Sequence, residues 1–170
     1  TELPDEITDT SWAGTAWSLD STSFFYVTYD DQERPSRVWH HRLGTAQTDD
    51  VVVFDEPDER FYVGVDLTRS SRWIVIDSDS KTSSESRIIP ADSPATEPRV
   101  VVPRREDVEY HVDHWGDRFV ILTNFDAVDF RVMTAPENEP SQWRELLPHV
   151  EGNRITRVDC FESHLVVHEW

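Results

Sequence analysis

The sequence predicts an all-β fold, a partial β-propeller of about three and a half four-stranded antiparallel blades. Three observations carry this. The apolar residues fall in short runs of Val, Ile, Phe, Tyr and Trp bounded by Asp, Ser, Pro, Gly and Asn, and helical periodicity is nearly absent. A pairing of strand, short turn and very apolar strand recurs as "AWSLDSTSFFYVT", "VGVDLTRSSRWIVID", "HVDHWGDRFVILT" and "RVDCFESHLVVHE". The recurrence has one period: the second strands align Phe25, Ile74, Val120 and Val166 at steps of 49, 46 and 46, and the first strands align Trp17, Val63, Val112 and Val158 at 46, 49 and 46. Four antiparallel strands per ~45 residues is the blade of a propeller.

Taken in order, the first unit (16–58) holds "SFFYVTY" (23–29), "SRVWHHRL" (36–43) and "DVVVF" (50–54) behind its opening strand. The second (61–107) holds "FYVGVDL" (61–67), "RWIVID" (72–77), "SRII" (86–89) and "RVVV" (99–102). The third (109–152) holds "EYHVDHW" (109–115), "RFVILT" (118–123) and "DFRVM" (129–133), and the second half of "PSQWRELL" (140–147) reads as its fourth strand. Half a unit (155–170) follows, with "ITRVDCF" and "HLVVHEW". The second strand of each unit lacks polar alternation because neighbouring blades sandwich it. "HWGD" (114–117) is then a turn between the first two strands of the third unit, with Gly116 permitting it, in a slot filled by "DSTS" and "TRSS" elsewhere.

With 170 residues, 37% of them apolar, the chain can bury a core despite being 29% charged. No run approaches the roughly 18 apolar residues of a membrane span, and no signal peptide opens the chain, so no membrane partner is expected. A net charge of −18 with no basic stripe argues against nucleic acid and allows attraction of cationic ligands. Cys160 is the sole cysteine and forms no internal disulfide, so a cytoplasmic setting is expected. The chain opens on Thr1 and stops at Trp170 inside a strand pattern, so it reads as part of a longer protein whose cut ring exposes bare blade faces and self-associates.

Chemistry-bearing motifs are few. None of the five glycines (Gly14, Gly44, Gly64, Gly116, Gly152) forms a Gly-x-Ser-x-Gly elbow or a phosphate loop. His111 and Asp113 share a strand face near His114, His40 and His41 face opposite ways, and His164 pairs with His168 if the strand continues, but no Cys-x-x-Cys or His-Glu-x-x-His accompanies them. The carboxylate pairs Asp30/Asp31 and Asp55/Glu56 lie at strand ends, where solvated turns are the rule. Trp17, Trp39, Trp73, Trp115 and Trp143 scatter across the units, as packing between blades requires. No catalytic, cofactor-binding or metal-ligating residue is assigned.

Three longer strings carry a resemblance: "STSFFYVTYDDQERPSRVWHHRLGT" (21–45), "SDSKTSSESRIIPAD" (78–92) and "VDHWGDRFVILTN" (112–124). They resemble the propeller of the oligopeptidase-B branch of the prolyl oligopeptidase family of serine peptidases, over about residues 10 to 170, the stretch 135–170 matching only as generic blade. The resemblance implies a seven-bladed ring joined to an α/β-hydrolase domain that carries the whole catalytic triad and lies outside this chain. It implies hydrolysis of short peptides after Arg or Lys, with the propeller as a non-catalytic lid that restricts entry by size. It also names the partners: short basic peptides and the hydrolase domain of the same full-length protein. A stand-alone propeller-like protein-binding module is the alternative, separated from the first reading by whether a nucleophile elbow lies downstream in the gene.

Overall fold

The computed structural model describes residue 3 and residues 5–170. Strands β1 (Thr10–Trp17), β2 (Ser23–Tyr29), β3 (Pro35–Arg42) and β4 (Val51–Asp55) form one antiparallel sheet in that order. Strands β5 (Tyr62–Leu67), β6 (Trp73–Asp79), β7 (Ser84–Pro90) and β8 (Arg99–Val100) form the second, and β9 (Tyr110–Trp115), β10 (Arg118–Thr123), β11 (Arg131–Pro136) and β12 (Arg144–Leu147) the third. Strands β13 (Ile155–Cys160) and β14 (Leu165–Glu169) make a two-stranded fourth. The helical content described is one 3-10 turn at Gln47–Asp49, and no helix is long and apolar enough to cross a membrane.

The sheets stack in chain order, and each gap between neighbours is an apolar core. Phe25, Val27 and Val38 of the first sheet meet Val63, Val65, Ile74, Ile76 and Ile89 of the second. Val75 and Ile88 meet Tyr110, Phe119, Ile121 and Met133 of the third. Val120, Leu122, Phe130 and Val132 meet Ile155 and Cys160 of the fourth. Strands β6 and β10 are therefore covered on both faces, which is why "WIVI" and "FVIL" run apolar without alternation. This is an unclosed partial β-propeller.

Two expectations shift in detail. The strand "RVVV" shrinks to Arg99–Val100, because Pro98 and Pro103 bracket it and cannot donate to a ladder. In the second unit the counterpart of Phe25 is Val75, not Ile74. Trp17 pairs with Phe24, and Leu67 with Ile74, across equivalent hairpins. Phe25 and Ile74 point toward each other across the first core, whereas Val75 faces the third sheet. One residue of slip reverses the face.

Strand β1 begins at Thr10, ahead of the Ala16 where the repeat was read. Its early half is masked by Gly14, which sits at φ +98° inside an irregular stretch of the β1–β2 register. A Cβ there would run into the carbonyl oxygen of Val65, so the glycine lets the innermost strands of two blades come close.

Candidate functional site

The "HWGD" segment is a two-residue hairpin. Trp115 pairs with Arg118, and Gly116 takes φ +66° between them. Gly at the first central position is the pattern of a tight hairpin turn. His114, just before it, is 1% exposed. Its Nδ1 lies 2.9 Å from Ser70 Oγ and its Nε2 2.7 Å from Glu137 Oε1. Burial pulls its imidazole below the ordinary value against the opposing pull of Glu137.

A Ser–His–carboxylate line has the outline of a nucleophile, base and orienter. The turn around Ser70 gives the line a different origin. In the first sheet Asp20 Oδ1 accepts the N–H of Thr22 at 3.0 Å, Ser18 Oγ accepts that of Ser23 at 3.1 Å, and Ser21 takes φ +56°. In the second sheet Ser70 Oγ accepts the N–H of Arg72 at 3.2 Å, Thr68 Oγ1 accepts that of Trp73 at 3.1 Å, and Ser71 takes φ +58°. Ser70 fills the slot of Asp20 as a turn former. Arg72 reaches Glu137 at 2.9 Å and the Gly116 carbonyl at 3.2 Å. Together these contacts tie the β5–β6 turn to the third blade.

At the other end of the blades, the β4–β5 connection, the β6–β7 turn and the β8–β9 connection enclose a cleft of about 740 Å³. Its floor is Phe61, 3% exposed, with the Arg104 guanidinium 3.9 Å over its ring. Arg104 is fixed from behind by Glu56, 3% exposed, which also accepts from Ser78 Oγ at 2.5 Å and from the Asp58 N–H at 3.0 Å. Burial disfavours the Glu56 carboxylate, but the hydrogen bonds from Arg104, Ser78 and Asp58 outweigh it and hold the group below its ordinary range. Arg34, buried behind the cleft, donates to the carbonyls of Phe61 at 2.6 Å and Glu56 at 3.0 Å. These contacts make a rigid seam between the first and second blades.

The third wall carries Asp79. Its Oδ1 is buried with no donor among the described residues. Burial, with the charges of Asp77 and Glu109 adding and His111 opposing, pushes its carboxyl up to about 6. Asp77, on the same face of β6, is also raised by burial although Ser86 Oγ donates to it at 2.6 Å. Lys81 and Arg105 line the cleft as well. The arrangement is a preformed polar cleft with one aromatic floor, cations and carboxylates intermixed, and one acceptor left unsatisfied.

A family model described as "Prolyl oligopeptidase, N-terminal beta-propeller domain" matches residues 1–170. The chain belongs to the prolyl oligopeptidase family. Among relatives of this propeller, dipeptidyl aminopeptidase BI of Pseudoxanthomonas mexicana is 39% identical over 98% of this chain and 23% of its own length. Protease 2 of Moraxella lacunata is 32% identical over 89% of this chain and 22% of its own. Oligopeptidase B from Leishmania major superposes with a TM-score of 0.92 at 29% identity, over 99% of this chain and 24% of that one. The antipain-bound, closed form from Trypanosoma brucei gives 0.92 at 28%. The chain thus spans about a quarter of the length of the proteins it matches.

Within the propeller, the sequence candidates scatter. His40 stacks on Phe25 at 4.5 Å, while His41 faces the other way between Asp50 at 2.7 Å and Asp5 at 3.3 Å. His164 stacks on Phe161 at 5.0 Å, and His168 bonds Asp159 at 2.8 Å. Asp30 anchors Arg34, and Asp55 pairs with Arg37, each at 2.9 Å. No cluster of three or more His, Cys, Asp or Glu able to hold a metal occurs among the described residues. Sequence reasoning missed the seam of Glu56, Ser78 and Arg104 and the staple at His114. Glu56–Arg104 and Ser70–His114 are each nearly one repeat period apart, and that spacing is the signal that would have found these two pairs.

Proposed function

We propose that this propeller is the lid segment of an oligopeptidase-B-like serine peptidase that hydrolyses short peptides after Arg or Lys. On this reading the chain is part of one seven-bladed domain with units at about 16–58, 61–107, 109–152 and 155–170, and the catalytic residues belong to an α/β-hydrolase domain elsewhere in the protein. The segment itself contributes no catalytic, cofactor or metal residue, and the protein works in the cytoplasm. The observation that supports this most is the 0.92 TM-score to oligopeptidase B over 99% of the chain. A net charge of −18 adds a field that draws basic peptides inward and excludes nucleic acid.

A second reading has its own support. The 39% identity to dipeptidyl aminopeptidase BI exceeds the 32% to protease 2, and favours release of dipeptides from a free N-terminus. The intact protein decides between them when assayed on N-blocked amides ending in Arg or Lys and on unblocked dipeptidyl amides. Turnover of the blocked Arg and Lys substrates supports the first reading. Turnover confined to unblocked dipeptides moves the protein to the second, and no turnover of either leaves a binding module. Turnover of basic peptides that ignores ionic strength removes the steering role. Self-association through the open edge of β14 is tested by light scattering of this segment.

A further inference from the structure

Strand β6 carries two carboxylates into the seam between the second and third blades. Val75, Asp77 and Asp79 alternate onto one face of β6, and Val75 belongs to the core shared with the third sheet. Asp77 accepts from Ser86 Oγ at 2.6 Å, and Asp79 Oδ1 is buried with no donor among the described residues. No cation lies opposite them in the sheet: Asp77 pairs in register with Gly64 and Ser86, and Asp79 with Tyr62 and Ser84. Of the cations lining the neighbouring cleft, Arg60 is taken by Asp58 and Arg104 by Glu56, and Lys81 and Arg105 form no ion pair with either carboxylate among the described residues. Asp66 of β5 adds its negative charge to Asp77, and Glu109, just before β9, adds its own to Asp79. His111 of β9 opposes them, from an exposed position.

The same stretch of β7 makes the polar contacts of the seam. Ser84 Oγ donates to the Tyr110 carbonyl at 2.8 Å and accepts the Tyr110 N–H at 2.6 Å, and the Ser84 N–H donates to the Val108 carbonyl at 3.0 Å. The Ser86 N–H donates to Tyr110 Oη at 2.9 Å, so Ser86 holds Asp77 with its hydroxyl and the third blade with its amide. Two negative charges without a counter-ion beside an apolar core are relieved by water, and water reaches them when the blades part. We propose that Asp77 and Asp79 form a proton-operated latch on this seam: carrying a proton, the pair lets β7 close on Tyr110, and doubly charged it loosens those contacts and draws back the Ser80–Ser83 wall of the cleft. Burial raises both carboxyls in the closed seam, that of Asp79 from 3.8 to about 6. Closure is therefore favoured most below 3.8, and the advantage is lost as pH rises through about 6. The latch rests on no reading of the protein's activity.

The test is hydrogen exchange of the intact protein, read by mass spectrometry at about pH 5 and about pH 8 and divided by the intrinsic rate at each. The amides of Ser84, Ser86 and Tyr110 are expected to open about tenfold more readily at the higher pH. Ile155, whose N–H crosses to the Asp129 carbonyl at 2.9 Å in the next seam, serves as the control and is expected to hold constant. Asp79→Asn keeps the shape without the charge and is expected to remove most of the difference, Glu109→Gln to shrink it, and Asp77→Asn combined with Asp79→Asn to abolish it. Equal opening at both pH values in the wild type overturns the proposal. So does a loss of protection that persists in full in the double variant, or one that extends equally to Ile155. The wild-type comparison needs no variant, so a folding defect in the double variant leaves it decisive.

Discussion

Replacing Glu56 by Gln tests whether the polar seam holds two blades together. The substitution keeps the shape and removes the charge that faces Arg104, leaving the guanidinium with Glu85 at 3.5 Å. Breaking a buried ion pair costs about 3–5 kcal/mol. The Arg104 side chain is 28% exposed and recovers part of its hydration, so the expected loss is about 2–3 kcal/mol. For a chain of this size that lowers Tm by roughly 5–10 °C. Urea unfolding of Glu56→Gln, Arg104→Gln and the double variant completes a cycle. Additivity of the single effects within about 0.5 kcal/mol would show that the two side chains do not act together, and the reasoning fails. The pH dependence gives an independent check. The folded-state carboxyl lies below its ordinary value of 4.5, so its contribution is complete above that value and is lost as pH falls through the lower folded one. The gap between wild type and Glu56→Gln must therefore close on acidification.

Other perturbations probe the rest of the seams. Asp79 is raised to about 6 from an ordinary 3.8, so its cost is absent in acid, grows across that interval and stays constant above it. Asp79→Asn is expected to add about 1 kcal/mol at neutral pH and to flatten stability across the interval, as urea midpoints at several pH values would show. Gly14→Ala forces a Cβ into the Val65 carbonyl at a left-handed φ, and is expected to lose about 3 kcal/mol or more by urea midpoint. Ser70→Ala is expected to cost about 1 kcal/mol through its turn bonds. If turnover by the intact protein fell while the unfolding midpoint held, Ser70 would be a nucleophile and the staple reading would be wrong.

The strands were legible because β-branched and aromatic runs between turn formers have few other solutions. Which way a strand faced was not. In "WIVIDSD" both faces are apolar through Ile76, so Ile74 and Val75 carry no label, and the alignment chose the wrong one of the two. The first half of β1 was hidden for the opposite reason, since "TSWAGT" has small and polar residues where a blade backbone must approach another. Gly14 is the residue that lets β1 lie against β5.

Several of the polar contacts between blades join residues about one repeat apart. Glu56 and Arg104 are 48 residues apart, and Ser70–His114, Arg69–Asp113 and Arg72–Gly116 are each 44 apart. Residues one period apart occupy the same level of adjacent blades, so a donor and an acceptor at that spacing meet across a seam without further design. Apolar side chains tolerate slip because burial has no direction, whereas a hydrogen bond fails within an ångström. The register between blades is thus set at their two ends, by Glu56 with Arg104 and by Ser70 with His114. The cleft of about 740 Å³ lies at the first of those ends, where the chain leaves the sheets. Asp79 Oδ1, buried without a donor among the described residues, lies beside the first of these seams. Turns that must cross from blade to blade bring some polar groups to neighbours that pair them and bury others, such as Asp79 Oδ1, without a partner among the described residues.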